Sequence, residues 1–179
     1  ILPILFWWPI ILYPVHIVFM ELLIDPACSM IFEWEKEETN IMSRFPRNPK
    51  ERLFWKRTLM ISIFQWLSVL LTVLIIYEVF IRLWQSETVA KTWSFITLIL
   101  GNIALILVNR SWTHTVMYML KVKNKALLPV VLWAFALLTM MVYLPSMQRI
   151  FHFGYMTIRY FLLAIAGWLA SVFRFEALK

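Results

Sequence analysis

An apolar run of membrane-spanning length that carries two carboxylates is the feature that most constrains this chain. The run extends from Val15 to Phe32, reads VHIVFMELLIDPACSMIF, and holds Glu21 and Asp25 near its centre. A helix needs about 20 mostly apolar residues to cross a bilayer. A charged side chain at its centre costs about 2.5–3.5 kcal/mol on insertion scales, so ionisable groups in that position are functional by default.

The spacing of the two acidic residues and the proline that follows them indicate a cation site. Glu21 and Asp25 are four residues apart, so they share one face of a helix. Pro26 has no N–H and leaves the carbonyl of Leu22 without its usual helical partner, and we expect the helix to break there. Carboxylates beside a freed carbonyl suit a hard cation, and interrupted helices hold ion sites in transporters. The alternative is that these carboxyl groups only hydrogen-bond a neighbouring helix.

Composition places the rest of the chain in a membrane as well. Of the 179 residues, 62% are hydrophobic and 15% are charged, which argues against a soluble domain. The net charge is +7, but Lys and Arg collect between apolar runs, so they indicate orientation and not nucleic-acid binding. One cysteine, Cys28, excludes an internal disulfide and is expected to be a small packing residue. The start at Ile1, inside an apolar run, is typical of a fragment and not of a signal peptide.

The apolar runs predict an all-α, polytopic membrane helix bundle of about five spans, plus the tail of a preceding helix. The tail and a tight turn occupy residues 1–13. A charged loop at 33–57 follows the first span, and residues 110–125 are expected to lie flat at the interface. The predicted spans are 14–32, 58–81, 92–109, 126–144 and 155–173.

The distribution of basic residues predicts the orientation of these spans. Thirteen of the 17 Lys and Arg residues fall in the loops 33–57 and 110–125 and in the C-terminal tail. Because Lys and Arg are enriched in cytoplasmic loops, the chain is expected to begin outside, to cross five times and to end in the cytoplasm. The loop 33–57 is then cytoplasmic.

A third polar group is predicted at the depth of the two carboxylates. Asn102 lies near the middle of the third span, next to Gly101, and its amide oxygen is a ligand that calcium and similar cations accept. The alternative for Asn102 is a hydrogen bond to another helix or to its own backbone. The predicted metal ligands are therefore Glu21, Asp25 and Asn102.

Other polar residues are expected to be structural. The three histidines, among them His16, are widely separated near span ends, where an interfacial hydrogen bond is expected. Gln65 begins a polar stripe that is expected to pack against another helix, and Glu78 with Arg82 forms a local ion pair. The sequence has no phosphate-binding glycine loop, Ser–His–Asp set or Cys-x-x-Cys pair, so no catalytic residues are predicted.

Several passages resemble the membrane segments of one protein family. The passage PVHIVFMELLIDPACS, followed by NIMSRFPRNPKERLF, resembles the sixth membrane helix and the next cytoplasmic loop of P-type cation-transporting ATPases. Further on, AKTWSFITLILGNIALILVNRS resembles their eighth helix, and VYLPSMQRIFHF resembles the end of the ninth helix and its outer loop. Helices six to ten of that family also start outside, cross five times and end in the cytoplasm.

The resemblance implies roles for individual residues. Asp25 stands at the family's membrane aspartate, a direct cation ligand, and Asn102 stands where calcium pumps of the family place a carboxylate of the eighth helix. Glu21 falls on a position that is often Asn in calcium pumps. Ile24 replaces the usual Thr and Pro26 replaces the usual Gly. These departures imply a rebuilt ion site.

The resemblance also implies a function and its requirements. Residues 1–179 would be the C-terminal transmembrane domain of an ATP-driven pump in the plasma (inner) membrane, carrying calcium or another hard cation. ATP and Mg would bind to domains outside this chain. Its partners would be the lipid bilayer and the upstream cytoplasmic and membrane domains of the same polypeptide. The alternative is a secondary cation or proton transporter or a channel module without ATP coupling, and a third hypothesis is a membrane anchor without an ion site.

Overall fold

In a computed structural model the chain forms a bundle of helices. The structure describes residues 10–35, 37, 41–43, 45–46, 56–82, 86–110 and 124–154. No strand occurs in these ranges, which confirms the predicted all-α class. The α-helices are α1 (Pro14–Glu33), α2 (Lys56–Arg82), α3 (Glu87–Asn109), α4 (Leu127–Tyr143) and α5 (Pro145–Phe151), with a 3-10 turn at Ile41–Ser43.

Three of these helices, α1, α2 and α3, are long and apolar enough to cross a membrane. The helices α4 and α5 meet at 85° and count as a fourth span if the bent pair is taken as one. The protein is therefore an integral membrane protein, as predicted. The predicted fifth span, 155–173, lies outside the described residues, and so do residues 1–9 and most of the stretch 110–125 predicted at the interface.

The helix α3 begins five residues before the predicted span, at Glu87 instead of residue 92. Ser86 precedes it as N-cap, and its hydroxyl accepts a hydrogen bond of 3.4 Å from the backbone N–H of Val89. Glu87 adds a carboxylate to the first turn. Both features stabilise a helix N-terminus whatever the hydropathy of the segment, so residues 87–91, which lie between two predicted spans, extend the helix.

The predicted break at Pro26 is wrong, because α1 is continuous from Pro14 to Glu33. Proline still removes one N–H from the helix, so the carbonyl of Leu22 has no backbone donor four residues on. The helix is held on the side where Leu23, Ala27 and Ile31 are buried. Packing on that side keeps the flanking turns helical while Pro26 lies on the exposed side.

The helix α3 lies at the centre of the described bundle. It contacts α1, α2 and α4, and every side chain from Ala90 to Ile96 is buried. In contrast, α2 exposes many large apolar side chains, including Leu59, Phe64 and Leu71. Such a surface is suited to lipid tails, which are as apolar as a leucine side chain.

The helices α2 and α3 approach each other closely at Gly101. A Cβ atom at Gly101 would lie 3.1 Å from Cγ1 of Val69. Nearby, the side-chain amides of Gln65 and Asn109 donate to each other in two hydrogen bonds of 3.3 Å. These contacts confirm the packing role predicted for Gln65.

The helices α1 and α3 run side by side in the same direction. Near the start of both, the Lys91 ammonium donates a hydrogen bond of 3.2 Å to the Tyr13 hydroxyl. Just after the end of both, Arg110 pairs with Glu35 at 2.8 Å. We call these two ends of the bundle the Tyr13 end and the Glu35 end.

Candidate functional site

Glu21 and Asp25 lie on the face of α1 that the described helices leave uncovered. Both side chains are exposed, while Leu23 is buried on the other side of the helix, where α1 packs on its neighbours. Among the described residues, neither carboxylate has a hydrogen-bond or ion-pair partner. Hence α2–α5 do not supply the interhelical hydrogen bond that was the alternative to a ligand role.

Asn102 lies half-buried on α3, facing α1. Its Nδ2 donates a hydrogen bond of 2.9 Å to the backbone carbonyl of Leu98 in the same helix, which is the alternative expected for Asn102, and lies 4.0 Å from the sulfur of Met20. A carbonyl oxygen only accepts, so the nitrogen of the amide must point to Leu98. Within the described residues the amide oxygen of Asn102 has no hydrogen-bond donor, and it keeps both lone pairs.

The predicted ligands lie on two adjacent helices, and among the described residues no hydrogen bond joins Asn102 to Glu21 or Asp25, which face away from α3. Asn102 contacts Met20, the residue before Glu21. The described residues contain no group of three or more His, Cys, Asp or Glu side chains that could hold a metal ion. Calcium takes about six to eight oxygen ligands. Glu21, Asp25 and Asn102 can thus supply only part of a coordination sphere, and the remaining oxygens would come from elsewhere.

The exposed carboxylates determine what can lie against this face of α1. A charged group in contact with the hydrocarbon of the bilayer is costly, so intramembrane acidic residues face protein or a water-filled cavity. Glu21 and Asp25 are in a helix of membrane-spanning length and face away from α3 and α4. Their face of α1 therefore requires protein or water outside the described bundle.

His16 is buried at the Tyr13 end, and both nitrogens of its ring are engaged. The Nδ1 atom accepts a hydrogen bond of 3.1 Å from the backbone N–H of Tyr13, and the Nε2 atom donates one of 2.7 Å to the carbonyl of Phe151. Because a backbone N–H only donates and a carbonyl only accepts, the ring is the neutral tautomer protonated at Nε2. The hydrogen-bonding role predicted for His16 is confirmed, and neither nitrogen is free to bind a metal.

Lys91 is a buried cation whose burial and partners were not predicted from the sequence. Its side chain is 6% exposed and forms an ion pair of 2.6 Å with Glu87, one turn earlier in α3. Its Nζ also lies 4.7 Å from the centre of the Tyr13 ring, in addition to bonding its hydroxyl. The four-residue spacing of Glu87 and Lys91 was the available signal. A matching pair, Glu78 and Arg82, was predicted from that spacing and is confirmed at 2.6 Å.

A second unpredicted network joins three helices at the Glu35 end. The Arg110 guanidinium binds Glu35 through two hydrogen bonds, Nε to Oε2 at 2.8 Å and Nη2 to Oε1 at 3.1 Å. The Asn124 side chain donates to Glu35 at 3.0 Å and to the carbonyl of Ile31 at 2.9 Å. Its oxygen accepts from the backbone N–H groups of residues 126 and 127, at the start of α4. The network therefore links α1, α3 and α4.

Comparison with known proteins adds two findings. Residues 9–179 match the family model described as "Cation transporting ATPase, C-terminus". Over 152 residues the sequence is 30% identical to a calcium-transporting ATPase of Bacillus subtilis (strain 168). This alignment covers 80% of the present chain and 16% of the relative, so the chain spans about one sixth of that protein's length.

Proposed function

Because the chain belongs to the family of cation-transporting ATPase C-terminal domains, we propose that it binds and translocates the cation of an ATP-driven P-type pump. The observation that carries the proposal is the pair Glu21 and Asp25. These two carboxylates are exposed on one face of a membrane-spanning helix. The amide oxygen of Asn102, which accepts no hydrogen bond within the described residues, lies on the adjacent helix. Intramembrane carboxylates arranged in this way mark ion pathways.

Calcium is the cation proposed first. Carboxylate, amide and backbone carbonyl oxygens are ligands for hard cations, and calcium accepts all three. Glu21 and Asp25 would supply negative charge, Asn102 a neutral oxygen, and Leu22 a carbonyl that has no backbone donor because residue 26 is proline. The similarity to a calcium-transporting ATPase supports this choice. The missing ligands would come from upstream membrane helices lying on the exposed face of α1.

Other parts of the polypeptide would supply the energy for cation transport and determine its direction. ATP and its Mg ion would bind to upstream cytoplasmic domains, which would drive α1 to move against α3. Such a motion would change the distance of Asn102 from the two carboxylates and so the affinity for the cation. The basic residues support a cytoplasmic Glu35 end, an external Tyr13 end and a cytoplasmic C-terminus. The plasma membrane is proposed as the location because the family resemblance implies it.

The test is cation-dependent ATP hydrolysis by the full-length protein, measured over calcium, magnesium, manganese, sodium and potassium. We expect one cation to stimulate turnover and Asp25→Asn to abolish that stimulation. Glu33→Gln is the matched control, because Glu33 is an exposed carboxylate of the same helix outside the site, and it should respond like wild type. Membrane insertion of each variant is checked by protease protection.

Two outcomes would refute the proposal. One is a correctly inserted Asp25→Asn variant that keeps the wild-type cation response. The other is a wild-type protein whose turnover no cation stimulates. A double variant, Glu21→Gln with Asp25→Asn, that transports normally would favour a membrane anchor without an ion site.

A further inference from the structure

Two polar ties hold α1 and α3 together, one at each end of the pair. At the Tyr13 end the tie is the hydrogen bond from Lys91 to Tyr13, at 3.2 Å. At the Glu35 end the tie is the ion pair of Arg110 with Glu35. Between them lie the predicted ligands, Glu21 and Asp25 on α1 and Asn102 on α3. The polar contact at ligand depth is weak, since Asn102 Nδ2 and Met20 Sδ are 4.0 Å apart, and the packing of Leu23 at this depth is apolar.

The tie at the Glu35 end is the stronger of the two. The side chain of Arg110 is 1% exposed and that of Glu35 is 15% exposed, so water screens this pair little. The guanidinium binds both carboxylate oxygens, and a planar bidentate contact of this kind fixes orientation as well as distance. Lys91, in contrast, is a point charge on a flexible stem, and it shares its ammonium between Tyr13 and Glu87.

The Arg110–Glu35 pair lies at the ends of the two helices that carry the predicted ligands, so it can affect their relative positions. Glu35 follows the helix that carries Glu21 and Asp25, and Arg110 is the C-cap of the helix that carries Asn102. A slip of one residue between two parallel helices moves one against the other by about 1.5 Å. That displacement is large compared with the range of calcium–oxygen distances, which runs from about 2.3 to 2.6 Å.

We propose that the Arg110–Glu35 pair sets the axial register of α1 against α3 and so positions Glu21 and Asp25 relative to Asn102. Glu35 and Arg110 are then positioning residues that do not touch the cation. Asn124 holds the carboxylate from the other side and ties the register to α4. The role in cation affinity rests on the function proposed above, whereas the role in helix register does not.

The first experiment measures helix register directly in the full-length protein. Met20→Cys and Asn102→Cys are combined in a background with Cys28→Ala, treated with a short bifunctional maleimide and analysed by mass spectrometry of the linked peptides. We expect efficient cross-linking with Glu35 intact and a loss of at least about half the yield with Glu35→Gln. Glu37→Gln is the control, since Glu37 is an exposed carboxylate beyond the same helix end.

The second experiment measures the calcium dependence of ATP hydrolysis in the full-length protein with Met20, Cys28 and Asn102 unchanged. Glu35→Gln should raise the half-saturating calcium concentration about tenfold, within the range by which residues that contact no ligand can change the affinity of a site. The maximal rate should stay within about twofold of wild type, because the ligands themselves remain. Exchanging the charges, in the double variant Glu35→Arg with Arg110→Glu, should restore part of the affinity.

The outcomes separate this proposal from the proposed function. An unchanged cross-link yield in a folded Glu35→Gln protein overturns the register proposal, whatever the ion response. A lost cross-link with an unshifted half-saturating calcium concentration overturns its link to cation affinity, while Asp25→Asn still reports on the pump. If Asp25→Asn leaves the response intact and the cross-link is lost, the register proposal stands and the proposed function fails.

Discussion

The Nε2–H of His16, in the first turn of α1, donates a hydrogen bond of 2.7 Å to the backbone carbonyl of Phe151, the last residue of α5. The other ring nitrogen accepts the backbone N–H of Tyr13. One side chain thus joins the start of α1 to the end of α5. The rings of Phe95 and Phe153 lie 5.0 Å from the imidazole and enclose it.

Replacing His16 by alanine is expected to destabilise the protein substantially. The change leaves the carbonyl of Phe151 and the N–H of Tyr13 without their partners, and each unsatisfied buried group costs about 1–3 kcal/mol. The thermal unfolding temperature of the full-length protein in detergent should fall clearly. The control is His152→Asn, because His152 is exposed with φ 54° and asparagine tolerates that conformation. An equal loss of stability in both variants would show that His16 has no special role.

Substitution by alanine should affect stability differently at Gly101 and Gly154, the two glycines in the described part of the chain. At Gly101 the added Cβ would meet a side-chain methyl of Val69 at 3.1 Å, whereas at Gly154 it would meet the backbone nitrogen of Val89 at 2.9 Å. A methyl group can shift slightly, and alanine gains about 1 kcal/mol over glycine inside a helix. Gly101→Ala should therefore be close to neutral, and Gly154→Ala should be clearly destabilising by thermal unfolding.

A second substitution near each glycine tests whether a side chain or the backbone limits the space for the added Cβ atom. Val69→Ala should remove the contact at Gly101, so in that background Gly101→Ala should stabilise the protein by about the 1 kcal/mol that alanine gains over glycine in a helix. Val89→Ala should not rescue Gly154→Ala, because the backbone nitrogen remains in place. Full rescue at Gly154 would show that the side chain of Val89, 2.7 Å from the added Cβ, and not its backbone, sets the limit.

Replacing Pro26 by alanine is expected to change stability and cation affinity in opposite directions. Alanine restores the N–H that can bond the carbonyl of Leu22, and proline costs a helix interior about 3 kcal/mol relative to alanine. The unfolding temperature should rise. If that carbonyl is a ligand, the half-saturating calcium concentration of ATP hydrolysis should rise as well. Ser29→Ala, on the same exposed side of α1, is the control, and a stabilised Pro26→Ala protein with unchanged calcium dependence would exclude Leu22 from the site.

The helices were predictable because hydropathy and length determine membrane spans almost locally. α1 and α2 begin and end within two residues of the spans predicted at 14–32 and 58–81. The error at Pro26 had a different cause, since a local rule was overridden by the burial of Leu23 and Ala27 against neighbouring helices. Tertiary packing of this kind leaves no trace in the few residues around a proline.

The candidate site was predictable only as a set of residue types. The chemistry of Glu21, Asp25 and Asn102 follows from their place in apolar runs, and their ligand role stays a prediction. Arg110 and Glu35 are 75 positions apart in the chain, and His16 and Phe151 are 135 apart. No periodicity or spacing rule connects residues so distant, so these ties emerge only from the folded arrangement.

The reciprocal amide pair of Gln65 and Asn109 bears on how the protein is built into the membrane. It joins helices that are neighbours in the chain, and it pairs the two side-chain amides within the α2–α3 hairpin, close to the tight contact of Gly101 with Val69. Such a helical hairpin can enter the bilayer from the translocation machinery with α2 and α3 already paired. It would then offer α1, synthesised earlier, and α4, synthesised later, a preformed surface on which to assemble.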